Sequence, residues 1–162
     1  MKKSTEIFEP IVEEWDITYE HAPGPIAGEF FRTLKDEARL VGRYCPRCER
    51  VLLPPRAFCD RDYADTTAWV DVGNDGILET FTVVYQKFKG LPDPPYCIGY
   101  ATLEGADTAI LNFIRGVDLT DVDGISKKLA VGTPVSVRFR PRSERKGRVL
   151  DFWFEVVKGH GE

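Results

Sequence analysis

The spacing of apolar and polar positions changes along this chain, and the changes divide it into segments. Over residues 26–41 the apolar side chains Ile26, Phe30, Phe31, Leu34, Ala38 and Val41 recur every three or four positions, with Glu29, Arg32, Lys35, Asp36 and Glu37 between them. That spacing predicts an amphipathic helix. Gly42 stands where a helix C-terminus favours glycine, so the helical unit is placed at 26–43. From Ile77 onward the period is two. Ile77–Phe88, Tyr96–Leu103, Thr108–Ile114, Val135–Arg140 and Leu150–Val157 each alternate, which predicts five strands. In the last of these Leu150, Phe152, Phe154 and Val156 face inward, and Asp151, Trp153 and Glu155 outward. Turn residues punctuate the set: Asn74-Asp-Gly76 before the first strand, a proline-rich loop over 87–95, and a hairpin turn at Glu104-Gly-Ala-Asp107. A short helical segment at Ile125–Leu129 falls between the third and fourth strands. This order, with a first strand long enough to bend across both halves, predicts a five-stranded OB-fold barrel over 73–158. Alternation alone leaves an SH3-like barrel or a sandwich open.

Residues 44–72 follow neither period. Cys45 and Cys48 form a C-x-x-C, Cys59 follows after ten more residues, and Asp62 holds the place that would complete a second C-x-x-C. Two such knuckles bring four side chains round one tetrahedral ion. Pro54 and Pro55 forbid a helix between them, while Val51, Leu52 and Leu53 suit a short strand. The segment reads as a rubredoxin-like zinc ribbon with Cys45, Cys48, Cys59 and Asp62 as ligands. An oxygen ligand favours zinc over rubredoxin-type iron, which takes four thiolates. The zinc is expected to be structural, because no His-Glu pair lies nearby. A fourth ligand from His21 or His160, a disulfide, or a ribbon that has lost its metal are the competing readings. The whole is therefore expected to be mainly β, with a helix, a zinc ribbon and a barrel in that order.

Residues 1–25 carry Ile7, Phe8, Ile11, Val12, Trp15, Ile17 and Tyr19 without a regular period, and His21-Ala-Pro-Gly-Pro25 halts regular structure. Such an arm has too many large apolar groups to be left in water. It is expected to pack on a partner or back on its own domain. The first ten residues have no apolar core behind their lysines, and no run reaches the roughly eighteen apolar residues of a membrane span. With four cysteines, three of them clustered, a reducing compartment is expected, and hence the cytoplasm.

Charge is unevenly spread. Between Arg138 and Arg148 lie Arg138, Arg140, Arg142, Arg145, Lys146 and Arg148 against the single acid Glu144, a local charge of +5. The rest of a chain of net charge −4 therefore carries −9. One basic hairpin on an acidic protein suggests a specific anionic ligand rather than general adhesion to nucleic acid. The bland alternative is that it keeps a sheet edge soluble.

These segments together resemble a known family, the zinc-ribbon/OB-fold proteins encoded beside thiolases and related acyl-CoA condensing enzymes. The resemblance rests on Glu29-Phe-Phe31, Tyr44-Cys-Pro-Arg-Cys48, Pro54-Pro-Arg-Ala-Phe-Cys59, Leu78-Glu-Thr-Phe-Thr-Val-Val-Tyr85 after Gly76, Pro95-Tyr-Cys-Ile-Gly-Tyr100 and Val131-Gly-Thr-Pro-Val135. It implies a non-catalytic accessory subunit that binds an acyl-CoA ester and docks on a thiolase-like catalytic subunit. Relatives of this kind include subunits from anaerobic toluene breakdown through benzoylsuccinyl-CoA. A two-fold thiolase would make a heterotetramer the simplest closed assembly. Asp62 in place of a fourth thiolate and the long N-terminal arm depart from the family pattern.

Coenzyme A needs cations for its phosphates and a flat partner for its base. Arg138, Arg140, Arg142, Arg145, Lys146 and Arg148 are the candidates for the first, Phe88 or Trp153 for the second. Arg47, Arg50, Arg56 and Arg61 would project from the ribbon as a docking surface. Catalysis within the chain is not expected, since Cys97, the only cysteine outside the ribbon, sits in an apolar strand and reads as a buried thiol. Two other classes remain: a single-stranded nucleic-acid binder, because barrels and ribbons both serve that role, and a rubredoxin-like electron carrier, which Asp62 disfavours.

Overall fold

The computed structural model describes residues 11–13, 17–18, 20–122 and 124–157. Among the arm positions, Ile7, Phe8, Trp15 and Tyr19 lie outside the described residues, as does His160, while Ile11, Val12 and Ile17 are exposed.

Helix α1 spans Gly24–Glu37, opens with a proline in its first turn and buries Phe30, Thr33 and Leu34. It ends earlier than the sequence spacing predicts. Ala38 turns left-handed (φ 54°) and the chain becomes strand β1, Leu40–Tyr44. Leu40 and Val41 are buried as strand residues, not as the last helical turn. Gly42 is likewise no helix terminator. It faces strand β2, Val51–Leu52, where a Cβ would stand 2.6 Å from Val51 Cγ1 and 3.0 Å from the Leu52 carbonyl oxygen. With β3, Trp69–Val72, these strands form an antiparallel sheet in the order β2-β1-β3.

Five further strands close into a barrel: β4 (Asp75–Val84), β5 (Tyr96–Leu103), β6 (Ile110–Arg115), β7 (Pro134–Phe139) and β8 (Phe152–Val156). The order round the barrel is β4-β5-β6-β8-β7, with β6 and β8 parallel and the other pairs antiparallel. The long β4 does bend across both halves. Its first residues pair with β7, the remainder with β5, and a register irregularity at Leu78/Thr80 supplies the bend. A short helix α2, Ile125–Lys128, fills the connection between β6 and β7. The architecture is mainly β: one long helix, a zinc ribbon, then a closed five-stranded OB-fold barrel.

One core joins α1, β1 and the barrel through Phe30, Leu34, Leu40, Leu53, Leu78, Phe152 and Phe154, while Cys45, Leu52 and Cys59 form a second cluster within the ribbon. The ribbon is pinned to the β5–β6 hairpin. Asp107 accepts the Val51 N–H through Oδ2 at 2.8 Å and donates its own N–H to the Val51 carbonyl at 2.9 Å. Thr108 Oγ1 accepts the Leu53 N–H at 2.7 Å and donates to the Leu53 carbonyl at 2.8 Å.

The last strand begins two residues later than its alternation suggests. Val149–Asp151 is a 3-10 turn in which Leu150 is exposed and Asp151, expected outward, is 3% exposed. Asp151 Oδ2 accepts the N–H groups of Lys146, Gly147 and Arg148 at 2.8, 2.6 and 3.1 Å. A buried carboxylate is tolerated because three donors replace its water.

Candidate metal centre and the clefts beside the basic turn

The two knuckles bring the expected side chains together. One ligand atom from each of Cys45, Cys48, Cys59 and Asp62 lies within 4.8 Å of the others. Local backbone bonds set the loops: the Cys45 N–H meets the Arg50 carbonyl at 2.8 Å, and the Tyr63 N–H meets the Cys59 carbonyl at 3.0 Å. Glu49 and Tyr63, both at positive φ, turn the chain after each ligand pair.

A tetrahedral zinc with bonds of about 2.3 Å to sulfur needs ligand–ligand edges of about 3.8 Å. Cys48 Sγ and Cys59 Sγ are 3.7 Å apart, and Asp62 Oδ2 is 3.6 Å from Cys45 Sγ and 3.7 Å from Cys59 Sγ. These three edges are of the length a zinc site needs, and the donor set fits a zinc ion. All four cysteines are free thiols rather than disulfides. Three sulfurs and one oxygen complete a closed set, which is the form of a structural site.

The local field is uneven. The contact with Asp62 pushes the Cys48 thiol up, and the same contact draws the Asp62 carboxyl below the usual carboxylate range. Burial opposes ionisation of Cys59, but the backbone N–H groups of Asp62 and Arg61 and the Arg50 guanidinium outweigh it and bring the thiol to about 7. Arg50 does not project outward as a docking group. It lies against the sulfurs, with Nε 3.3 Å from Cys48 Sγ and Nη2 3.3 Å from Cys59 Sγ. Arg56 pairs with Asp60 at 3.4 Å, and Arg47 donates to the Asp62 carbonyl at 3.4 Å.

The basic hairpin is a turn held by Asp151, and its cations face different ways. Arg140, Lys146 and Arg148 line one recess with Ser143 and Leu150, together with two acids, Glu144 and Asp151, the latter already occupied by backbone N–H groups. Arg140 is braced by the Leu150 carbonyl at 2.9 Å and by Glu144 at 3.4 Å. Arg142 is exposed on the 3-10 turn Arg142–Glu144. Arg138 points elsewhere and pairs with Glu155 at 3.2 Å. Arg145 turns inward, donating from Nη1 to the Leu34 carbonyl of α1 at 3.3 Å.

Arg140 and Leu150 also border a second cleft of about 400 Å³, floored by Cys97, Ile114 and Phe152 and walled by Tyr96, Phe113 and Trp153. Trp153 lines this cleft, and Arg115 covers one face of its ring, the guanidinium carbon 4.3 Å from the centroid. Arg115 escaped the sequence reading. Its only signal is a cation ending an apolar strand before Gly116. Phe88 is exposed on the proline-rich loop and lines neither cleft. Cys97 is 1% exposed and burial pushes its thiol up to about 11, which disfavours the reactive thiolate. A third, largely apolar groove of about 530 Å³ runs between Phe30 and Phe31 of α1, Pro54-Pro55 and the outer face of β5 and β6.

Two family models match. Residues 32–67, which contain all four metal ligands, match the ChsH2 rubredoxin-like zinc ribbon domain. Residues 69–140 match the ChsH2 C-terminal OB-fold domain. The chain is thus ChsH2-like in both of its matched parts. Its zinc ribbon and barrel follow one another as those two domains, and the turn at 141–148 and strand β8 lie beyond the matched span. No curated protein matches the sequence. The fold is shared with solved structures, two of which are similar over most of this chain. One is a DUF35-family protein of unknown function from Sulfolobus solfataricus, solved at 1.80 Å, with 18% identity, a TM-score of 0.60 and coverage of 83% of this chain and 87% of that one. The other is described as an Ltp2-ChsH2(DUF35) aldolase, with 18% identity, a TM-score of 0.58 and coverage of 80% of this chain and 92% of that one. Among the described residues of this ChsH2-like chain, no helix is long and apolar enough to cross a membrane.

Proposed function

We propose that this chain is the non-catalytic zinc-ribbon/OB-fold subunit of a thiolase-type complex, binding an acyl-CoA ester and docking on the catalytic subunit. The observation that carries the ligand half is the continuity of the two clefts. A recess with Arg140, Lys146 and Arg148 shares Arg140 and Leu150 with a mostly apolar cleft walled by aromatic rings. That is the division of chemistry in a CoA ester: phosphates at one end, pantetheine and acyl group at the other. Arg142 is close in sequence to the recess and serves the same phosphates, and Arg115 adds a cation at the apolar cleft.

The partner half is supported by the name of the similar aldolase, which pairs a ChsH2(DUF35) domain with Ltp2. It is also supported by what the clefts lack. Among the described residues their lining contains no histidine, and the one thiol there is buried, with burial pushing it up to about 11. Chemistry would then belong to the partner. The thiolates of the metal site suit a reducing compartment, which supports a cytoplasmic complex. Aromatic degradation is the pathway that the family resemblance suggests, with benzoylsuccinyl-CoA as its thioester.

Calorimetry with CoA on the wild type and on Arg140→Ala with Arg148→Ala tests the ligand half. The proposal expects the double variant to bind at least tenfold more weakly. Equal affinity would remove the basic turn from the site.

A further inference from the structure

The metal ligands bring four negative charges to one divalent ion, so the bound site carries a net charge of −2. It is packed round Cys45 and Cys59, both fully buried. One cation lies against it. Arg50, two residues after Cys48, sends Nε to Cys48 Sγ and Nη2 to Cys59 Sγ, each at 3.3 Å, so its planar edge spans two of the three sulfurs. The same Nη2 reaches Asp60 Oδ1 at 3.1 Å, which fixes the guanidinium from the far side. Its side chain is only 21% exposed. A lysine, with one compact charge, cannot span two sulfurs in that plane.

We propose that Arg50 is a positioning residue of the zinc site: it clamps the Cys48 and Cys59 thiolates, offsets part of their charge, and so governs how tightly the ion is held and how readily those sulfurs react. Donors in this outer layer orient the ligands and tune the ion, and their loss typically weakens metal binding about 10- to 100-fold. N–H···S bonds also draw electron density from the sulfur lone pairs. They make the bound thiolates poorer nucleophiles and raise the energy needed to move an electron from sulfur to metal.

The test uses the full chain with Arg50→Met, Arg50→Lys and, as a control, Asp60→Asn, which removes the charge of the brace but leaves both N–H···S contacts. Zinc affinity is read by competition with a chromophoric chelator. Thiolate reactivity is read as the alkylation rate of the zinc-loaded protein. Sulfur-to-metal charge transfer is read in the visible and near-ultraviolet spectrum after cobalt substitution. Arg50→Met is expected to lower zinc affinity at least tenfold, speed alkylation several-fold and move the charge-transfer band to longer wavelength. Arg50→Lys should recover part of each change, and Asp60→Asn should leave the band in place. If Arg50→Met fails to fold, Arg50→Lys carries the same test against wild type. Affinity and alkylation rate within about twofold of wild type would overturn the proposal. So would weaker binding with an unmoved band, because a merely structural arginine would give that pattern.

Discussion

At the residue scale, the metal ligands were legible and their surroundings were not. Cys45, Cys48, Cys59 and Asp62 declare themselves by spacing, because knuckle geometry ties ligand position to sequence position. Arg50 does not, since whether a guanidinium folds back on a sulfur or reaches into water depends on the loop around it. Asp151 was misplaced for a related reason. Alternation through Leu150–Val157 puts it outward, yet a turn precedes the strand and aims its carboxylate at three backbone N–H groups. Three outcomes follow. Asp62→Ala should lower zinc affinity by at least tenfold, and Asp62→Cys, which restores a fourth thiolate, should match or exceed wild type in chelator competition. Asp151→Ala should cost about 1–3 kcal/mol in denaturant unfolding, because it strands buried donors rather than removing one contact.

At the element scale, the helix and the barrel strands follow from their periods, while β1 is hidden. Leu40 and Val41 continue the helical spacing of α1, and Gly42 is as good a helix end as it is a close-contact strand residue. What decides is pairing with β2 and β3, which lie far along the chain and leave no local trace. The same long-range logic fixes the ribbon on the barrel, where Thr108 and Asp107 supply the partners that the exposed edge of β2 would otherwise lack. Thr108→Val keeps the shape and removes both hydroxyl bonds to Leu53. It should cost about 1–2 kcal/mol and speed amide exchange across 51–53 more than in the barrel core, as read by hydrogen exchange. Equal protection of the two regions would mean that the hairpin does not hold the ribbon.

At the scale of the whole molecule, the barrel was readable because an OB fold announces itself by a helical element after the third strand and a long bent first strand. The clefts were less readable. The sequence groups six basic residues in one hairpin, but the fold splits them: Arg140, Lys146 and Arg148 share a recess, Arg138 pairs with Glu155, and Arg145 serves α1. Cross-strand and turn geometry, not residue count, decides which charges act together. Among the described residues the molecule presents a four-donor metal centre and a barrel with a partly basic recess beside an apolar cleft; on the reading proposed above, it works through another protein.

The direct measurement is a tagged pull-down of this chain from its native host, with the bound proteins identified by mass spectrometry. The account predicts a thiolase-like protein in fixed proportion, inactive or impaired when prepared alone. Recovery of the chain by itself, or with nucleic acid in its place, would contradict it.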